Sequence, residues 1–370
     1  MSKFSSSFPL ANRVMRIIVL ASTALLASAS GPSSVSAPSA PCVTAKAACE
    51  VWIPLGGGPA RSMSYSTYPL DKPNASITRA LIMIHGADRN ADHYFATATA
   101  AGFLAGALEN TIIIAPRFIA GNDEPEKNEI VWPNRGDSWR SGGASPSNPS
   151  LSSFDLADEL LRKLSDKQYF PKLAHIVVAG HSAGGQFATR YEMSNKVHGK
   201  LGGVTVSYVV ANPSSYAWPT ALRPLPVGDG DPALADEEAL GDSGEAVHSH
   251  FNYGPFDSIR APGYDRWPAG LENRTGYTGG VSDEQLTRQL VERPTTYLLG
   301  QVDVLPLGGF DSSPSGMAQG PTRRARGEAF FTFVTKTLGA KHTAIIVPEC
   351  GHNDRCIYTA SVVLPVIFPQ

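Results

Sequence analysis

The chain has 370 residues, of which 42% are hydrophobic and 17% are charged. That hydrophobic fraction is too high for an intrinsically disordered chain and is sufficient for a sizeable core. The formal net charge of −2 gives no indication of nucleic acid or an anionic membrane as a partner.

The first 29 residues have the pattern of a secretory signal peptide. An apolar run extends from residue 17 to residue 29, and no acidic residue occurs before Glu50. The run is shorter than the about 20 apolar residues that span a bilayer, and Ala27-Ser28-Ala29 fits a cleavage site. We therefore expect a secreted or periplasmic protein with no stable membrane span. The alternative to a signal peptide is an uncleaved membrane anchor or a start site assigned too far upstream.

Residues 30–41 are rich in Ser, Ala and Pro, which predicts a flexible spacer. The remaining residues, 42–370, are expected to form one domain, because single α/β domains often reach this size.

Four cysteines, Cys42, Cys49, Cys350 and Cys356, allow three pairings. In an exported protein the simplest arrangement is two local disulfides, Cys42 with Cys49 and Cys350 with Cys356. A zinc site that includes His352 is the alternative, but no C-x-x-C motif supports it. We expect no metal.

Six continuous apolar runs predict strands. Continuous rather than alternating apolar runs are typical of strands that are buried on both faces of a sheet. The runs are residues 79–85, 111–116, 174–180, 204–211, 295–300 and 343–348. Two earlier segments, 50–54 and 64–69, are expected to form antiparallel edge strands.

Helical patterns lie between these strands. Ser152 and Asp155 form a capping-box pattern at the start of an apolar helical face that ends at Leu164. A second helical face runs from Ala325 to Leu338. Strands that alternate with helices predict an α/β fold with a doubly wound, mainly parallel sheet.

Two long irregular segments, 119–149 and 213–293, follow the carboxyl ends of predicted strands. That end of an open α/β sheet is where ligands bind, and loops of this length are often lids or binding loops. We predict that 213–293 is a lid-like insertion before the strand at 295–300, which carries the acidic site residue proposed below. Trp218 and Trp267, within this insertion, are expected to contact the substrate. Surface decoration packed on its own aromatic residues is the alternative.

A G-x-S-x-G motif at residues 180–184 follows a predicted buried strand and precedes a segment compatible with a helix. In that context the serine lies at the apex of a sharp turn, and small neighbours allow the backbone to approach closely. The motif predicts Ser182 as a nucleophile.

A serine hydroxyl needs a base to take its proton. The chain order nucleophile, acid, base favours His352, which follows the last predicted strand. Asp303 follows the strand at 295–300 and is the predicted acid that orients the imidazole. Asp311 is the runner-up, and Asp354 is too close to His352 in sequence.

Two backbone amides are predicted to bind the oxyanion. One belongs to Ala183, the residue after the nucleophile, and the other to Ala87, in the loop after an early strand. His85 is expected to organise that loop, and His181 is expected to pack inside the turn at Ser182.

Four stretches, residues 84–90, 180–185, 212–216 and 351–354, resemble the α/β-hydrolase superfamily. More narrowly, they are similar to a group of secreted microbial serine hydrolases and esterases, and the resemblance covers roughly residues 50–370. It implies the α/β-hydrolase fold and the triad, and it leaves the substrate open because this fold hosts many activities.

The sequence contains no nucleotide-binding glycine motif and no H-E-x-x-H. We therefore expect a carboxylic-ester hydrolase that forms an acyl-Ser182 intermediate, requires no cofactor, and acts on a small-molecule or polymeric ester. One alternative is an amide or peptide hydrolase with the same triad. The other is a hydrolase fold without catalysis that serves as a binding protein.

Overall fold

The six apolar runs form six adjacent parallel strands of one sheet. The computed structural model describes residues 40–121, 123–225 and 251–370. The predicted signal peptide at 1–29 and nearly all of the predicted spacer at 30–41 lie outside the described residues. The strands are β1 Glu50–Pro54, β2 Arg61–Ser66, β3 Arg79–Ile84, β4 Thr111–Pro116, β5 His175–His181, β6 Thr205–Ala211, β7 Leu222–Leu225, β8 Asn252–Pro255, β9 Thr295–Gly300 and β10 Thr343–Val347.

Eight of these strands form the main sheet, in the order β1-β2-β4-β3-β5-β6-β9-β10. The strands from β4 to β10 in that order pair in parallel, whereas β2 is antiparallel to both β1 and β4. The prediction of a mainly parallel α/β sheet is confirmed. The strands β7 and β8 form a separate antiparallel pair.

One strand prediction was wrong in position and in role. The strand expected at 64–69 is β2, which covers residues 61–66 and is not at the edge, because Ser64 pairs with Val51 on one side and Pro116 on the other. Polar and apolar residues mix in this strand, so its local pattern does not fix its ends.

Successive residues of the central strands point to opposite faces, and both faces are buried. Ile82 and Ile114 pack on one face, with Phe187, while Leu81 and Ile113 pack on the other. None of these side chains has exposed surface. Burial on both faces explains why the sequences of these strands are continuous apolar runs.

The helices cover both faces of the sheet. They are α1 Ala91–Leu104, α2 Ser153–Ser165, α3 Ala183–Ser194, α4 Asp283–Glu292, α5 Pro314–Met317, α6 Arg323–Thr332, α7 Asp354–Thr359 and α8 Leu364–Ile367. The capping box at α2 is present, with the Asp155 N–H donating to Ser152 Oγ and the Ser152 N–H donating to Asp155 Oδ2. The helix expected to reach Leu338 ends at Thr332 and continues as a short π-helical turn. In the part of the chain described, no helix is long and apolar enough to cross a membrane.

Candidate active site

The turn between β5 and α3 places Ser182 at the carboxyl edge of the sheet. Ser182 has φ 59° and ψ −118°, a backbone conformation that is costly for a residue with a side chain. The glycines around it let three backbone segments come together. A Cβ atom would lie 2.1 Å from the Gly184 oxygen if added to Gly180, and 2.3 Å from the Ile84 oxygen if added to Gly184. The motif is therefore a packing requirement of this turn.

Gly184→Ala is expected to destabilise the protein, since its methyl group would push α3 away from the backbone of β3. Overpacking of this kind costs about 3 kcal/mol at its upper end. Thermal or denaturant unfolding measures the loss. Gly199→Ala is the matched control, because an added Cβ there has no neighbour within 4 Å. Equal stability of the two variants would contradict the packing argument.

Three predicted site residues from distant parts of the sequence lie together at the carboxyl edge of the sheet. Ser182 Oγ lies 2.9 Å from His352 Nε2, and His352 Nδ1 lies 2.8 Å from Asp303 Oδ2. Ser182 and Asp303 are 8% and 2% exposed, and the His352 side chain is 14% exposed. Each residue follows a parallel strand, so the three strand ends bring the side chains to one place. Neither Asp311 nor Asp354 hydrogen bonds to His352.

This arrangement can move a proton. If His352 Nδ1–H donates to Asp303, the opposite nitrogen Nε2 is free to accept the hydroxyl proton of Ser182. The buried Asp303 carboxylate also stabilises the imidazolium that such a transfer forms.

Arg323, at the start of α6, holds the loop that carries Asp303. Its Nη1 lies 3.6 Å from Asp303 Oδ1, its Nε donates to Ser214 Oγ, and its Nη2 donates to the Gly308 oxygen. Arg323 is fully buried, which lowers its pKa, while Asp303 opposes that shift. This residue was not among those predicted from the sequence. The sequence feature that could have identified Arg323 is its position in the first turn of a helix, where the helix dipole disfavours a cation.

Asn212, directly after β6, joins the ends of three chain segments. Its Oδ1 accepts the Gly300 N–H at 2.8 Å, and its Nδ2 donates to the Gly351 oxygen at 3.4 Å. It adopts φ 43°, which Asn tolerates better than most residues. Asn212 thus links β9 and the His352 loop to the centre of the sheet.

The two predicted oxyanion donors, Ala183 and Ala87, line the same cavity as Ser182. The Ala183 N–H is the first of α3 and has no acceptor within the helix. The loop of Ala87 is held by His85, whose Nε2 accepts the Phe118 N–H at 3.0 Å and whose Nδ1 lies 2.9 Å from the Gly86 oxygen. Burial lowers the pKa of His85 to about 4, so the neutral ring donates to Gly86.

His181, which was expected to pack inside the turn at Ser182, is buried and packs beside His352. Its ring centroid lies 4.6 Å from that of His352, and its Nδ1 is 3.0 Å from the Tyr94 hydroxyl. Burial lowers the pKa of His181 well below its ordinary value. A neutral ring at this position adds no second positive charge next to His352.

Two cavities meet at Ser182. The histidine cavity has a volume of about 390 Å³ and is lined by residues that include His181, Ser182 and His352. The arginine cavity, of about 320 Å³, includes Ser182, Arg140 and Arg190. Ala87 lines both cavities, and Ala183 lines the arginine cavity. Ser182 therefore faces two compartments with different linings.

The two tryptophans predicted as substrate contacts line neither cavity. Trp218 has no exposed surface and packs against Phe330 and Phe333, 5.3 and 5.0 Å away between ring centroids. A substrate contact for Trp218 does not fit this placement, because the ring lies in the hydrophobic core. Residues 226–250 of the predicted lid-like insertion lie outside the described residues. Trp267 is half-buried, and its Nε1 donates to Asp137, next to the arginine cavity.

The cysteines pair locally, Cys42 with Cys49 and Cys350 with Cys356. The second bridge spans the loop that carries His352. The alternative of a zinc site on Cys350 and Cys356 does not fit this pairing. Across residues 40–121, 123–225 and 251–370, no group of three or more His, Cys, Asp and Glu side chains could hold a metal ion.

A serine at the turn after a central parallel strand, with an acid and a histidine following later strands, is the architecture of α/β hydrolases. The sequence model of the alpha/beta hydrolase family matches residues 81–361, more than half of the chain. The chain therefore belongs to the alpha/beta hydrolase family, which supports hydrolase activity. A search of curated proteins finds no match.

Solved structures with a similar fold include esterases and depolymerases. The poly(3-hydroxybutyrate) depolymerase LpqC from Bordetella parapertussis is 19% identical, with coverage of 83% of this chain and 84% of that one and a TM-score of 0.54. Poly(aspartic acid) hydrolase-1 from Sphingomonas sp. KT-1 is 21% identical, with coverage of 83% and 94% and a TM-score of 0.49. At 19% identity the likeness to the depolymerase concerns the fold and not the substrate.

Proposed function

We propose that this protein is a secreted serine hydrolase that cleaves carboxylic esters through an acyl-Ser182 intermediate. The observation that supports the proposal most directly is the pair of hydrogen bonds that links Ser182 Oγ through His352 to Asp303, 2.9 and 2.8 Å long.

In the first half of the reaction, Ser182 Oγ attacks the ester carbonyl while His352 Nε2 takes its proton. The resulting oxyanion is bound by the amides of Ala183 and Ala87, which lie beside the nucleophile. His352 then gives the proton to the leaving alcohol oxygen, the carbon–oxygen bond breaks, and the acyl group stays on Ser182. Asp303 keeps the imidazole in the required tautomer throughout.

In the second half, water replaces the alcohol. His352 takes a proton from that water, which attacks the acyl carbon and forms a second oxyanion in the same place. The proton then passes to Ser182 Oγ as the acid product leaves. No step of this sequence requires a metal or an organic cofactor.

Secretion is supported by two independent features. The N-terminal 29 residues have the signal-peptide pattern, and the two local disulfides are of a kind that persists in oxidising compartments. We therefore propose that the mature protein is secreted or periplasmic.

A substrate panel tests the reaction class. The 4-nitrophenyl esters of short and medium acyl groups are compared with the 4-nitroanilides of the same acyl groups, with purified mature protein. Because an alcohol leaves more easily than an amine, we expect the esters to react at least roughly 100-fold faster in kcat/KM, a difference of about 2.7 kcal/mol in activation free energy. Faster cleavage of the anilides would assign an amide hydrolase. Hydrolysis of neither class, together with tight ligand binding, would favour a binding protein.

A further inference from the structure

The position of His352 assigns one half of the substrate to each cavity. Under the proposed function His352 must protonate the leaving alcohol, so the alcohol lies on the side of the histidine cavity, which His352 lines. The acyl group then extends into the arginine cavity, which contains both Ala87 and Ala183. The lining of the arginine cavity therefore determines which acyl groups fit.

The arginine cavity is unusually polar for a site that would take a hydrocarbon chain. One face of α3 supplies Ala183, Gln186 and Arg190, spaced three and four residues apart so that they line the same side. The remaining lining is mainly hydroxyl groups, glycine and charged side chains. The full lining is Ala87, Gly136, Ser138, Arg140, Ser182, Ala183, Gln186, Arg190, Ser214, Ser215, Pro268, Gly309 and Asp311. An alkyl chain would meet few apolar partners here.

Arg190 is a buried cation without a close counter-ion. It is 2% exposed, its Nε donates to the Pro268 oxygen at 3.1 Å, and its Nη2 donates to Ser215 Oγ at 3.2 Å. Among the described residues its Nη1 has no hydrogen-bond acceptor, and no carboxylate lies within 4 Å of the guanidinium. Burial lowers the pKa of Arg190 to about 9, which leaves it charged at neutral pH.

Arg140 reaches the same cavity from the loop at 119–149 and is also incompletely paired. Among the described residues, the only hydrogen bonds of its guanidinium go to the Asn134 oxygens, both at 3.4 Å, and its buried Nε has no partner. Asp311 lines the cavity as well and accepts the Ser313 N–H, but it forms no ion pair within 4 Å with either arginine. The cavity lining thus holds two cations and one anion, and a second carboxylate, Asp137, lies beside the lining and raises the pKa of Arg190 without forming an ion pair within 4 Å.

A buried guanidinium without an anionic partner is costly, and a carboxylate is the group whose geometry matches it best. We propose that the arginine cavity binds an acyl group that carries a carboxylate, held by Arg140 and Arg190, so that the preferred substrates are esters of anionic acyl groups such as half-esters of dicarboxylic acids. This inference rests on the proposed ester hydrolysis and names the substrate class for it.

A matched pair of esters tests the inference. Mono-4-nitrophenyl glutarate and 4-nitrophenyl pentanoate have acyl chains of equal carbon number, one ending in a carboxylate and the other in a methyl group. After subtraction of spontaneous hydrolysis, we expect kcat/KM of the wild type to favour the glutarate ester by roughly 10- to 100-fold, the effect of hydrogen bonds to a charged group. A wild-type ratio of one or below overturns the inference.

Arginine variants show where the selectivity arises. Arg190→Gln and Arg140→Gln are each expected to lower the glutarate-to-pentanoate ratio by about 10-fold or more, whereas Arg190→Lys keeps the charge and part of the ratio. Arg288→Gln, on the exposed face of α4, is the control for overall charge and leaves the ratio unchanged. Arg140 is the second target in case Arg190→Gln does not fold. A ratio that neither glutamine variant lowers overturns the inference.

Glutarate binding separates this inference from the proposed function. Calorimetric titration of Ser182→Ala with glutarate requires no turnover, and we expect binding that is weakened when Arg190→Gln is added. Binding of glutarate without hydrolysis of any ester would reject the proposed function and keep the anion site. Ester hydrolysis without glutarate binding, and with a ratio near one, would reject the anion site alone.

Discussion

Ser182→Ala is expected to lower turnover of any accepted ester by on the order of 10⁶-fold, because it removes the atom that attacks the carbonyl. The fold should persist, since the Ser182 side chain makes no hydrogen bond other than that to His352 among the described residues. Steady-state kinetics and thermal unfolding measure the two effects. A fluorophosphonate probe should label the wild type at Ser182 and leave the variant unlabelled.

Ser312→Ala serves as the matched control for this substitution. Ser312 is exposed and lines neither of the cavities at Ser182, so kcat should stay within about twofold of the wild type, less than 0.5 kcal/mol in activation free energy. Substantial hydrolysis by Ser182→Ala, or probe labelling at another serine, would contradict the assigned nucleophile.

Asp303→Asn is expected to lower kcat by on the order of 10⁴-fold with little change in KM. The amide can donate a hydrogen bond to His352 Nδ1, which leaves the proton on Nε2 and removes the base that Ser182 needs. Because the side chains are nearly the same size, the melting temperature should change far less than the rate.

Asp354→Asn distinguishes the assigned acid from its neighbour in the sequence. Asp354 lies 3.0 Å from His93 Nε2 and accepts the Thr97 hydroxyl at 2.8 Å, and neither contact involves His352. We expect Asp354→Asn to keep most of the wild-type kcat. A larger loss in Asp354→Asn than in Asp303→Asn would assign the acid to Asp354 instead.

The sequence predicted well those features whose signal is local. Buried parallel strands read as continuous apolar runs, so β4 and β9 were located to the residue. The triad candidates followed from chain order, because each lies directly after a strand, and strand ends share one edge of the sheet. The turn at Ser182 could be read because its glycines have to be adjacent in sequence.

Features that depend on distant contacts could not be predicted in this way. Arg323 acts on Asp303 through a helix packed from elsewhere, and Asn212 joins segments that are 88 and 139 residues away. The helix α1 is rich in Ala and Thr and lacks a clear apolar face, so no periodic pattern identifies it. Trp218 was assigned to a substrate surface because an aromatic residue in a long loop does not reveal whether the loop folds back onto the core.

The spacing of the disulfides affects how the chain acquires its structure. Each bridge joins cysteines that are only seven or six positions apart. Such small loops close at low entropic cost, whereas pairing Cys49 with Cys350 would close a loop of roughly 300 residues at about 3 kcal/mol more. Correct pairing is therefore favoured before the sheet has assembled, and oxidation of the nascent chain does not depend on the slow long-range contacts that bring β9 and β10 to their places.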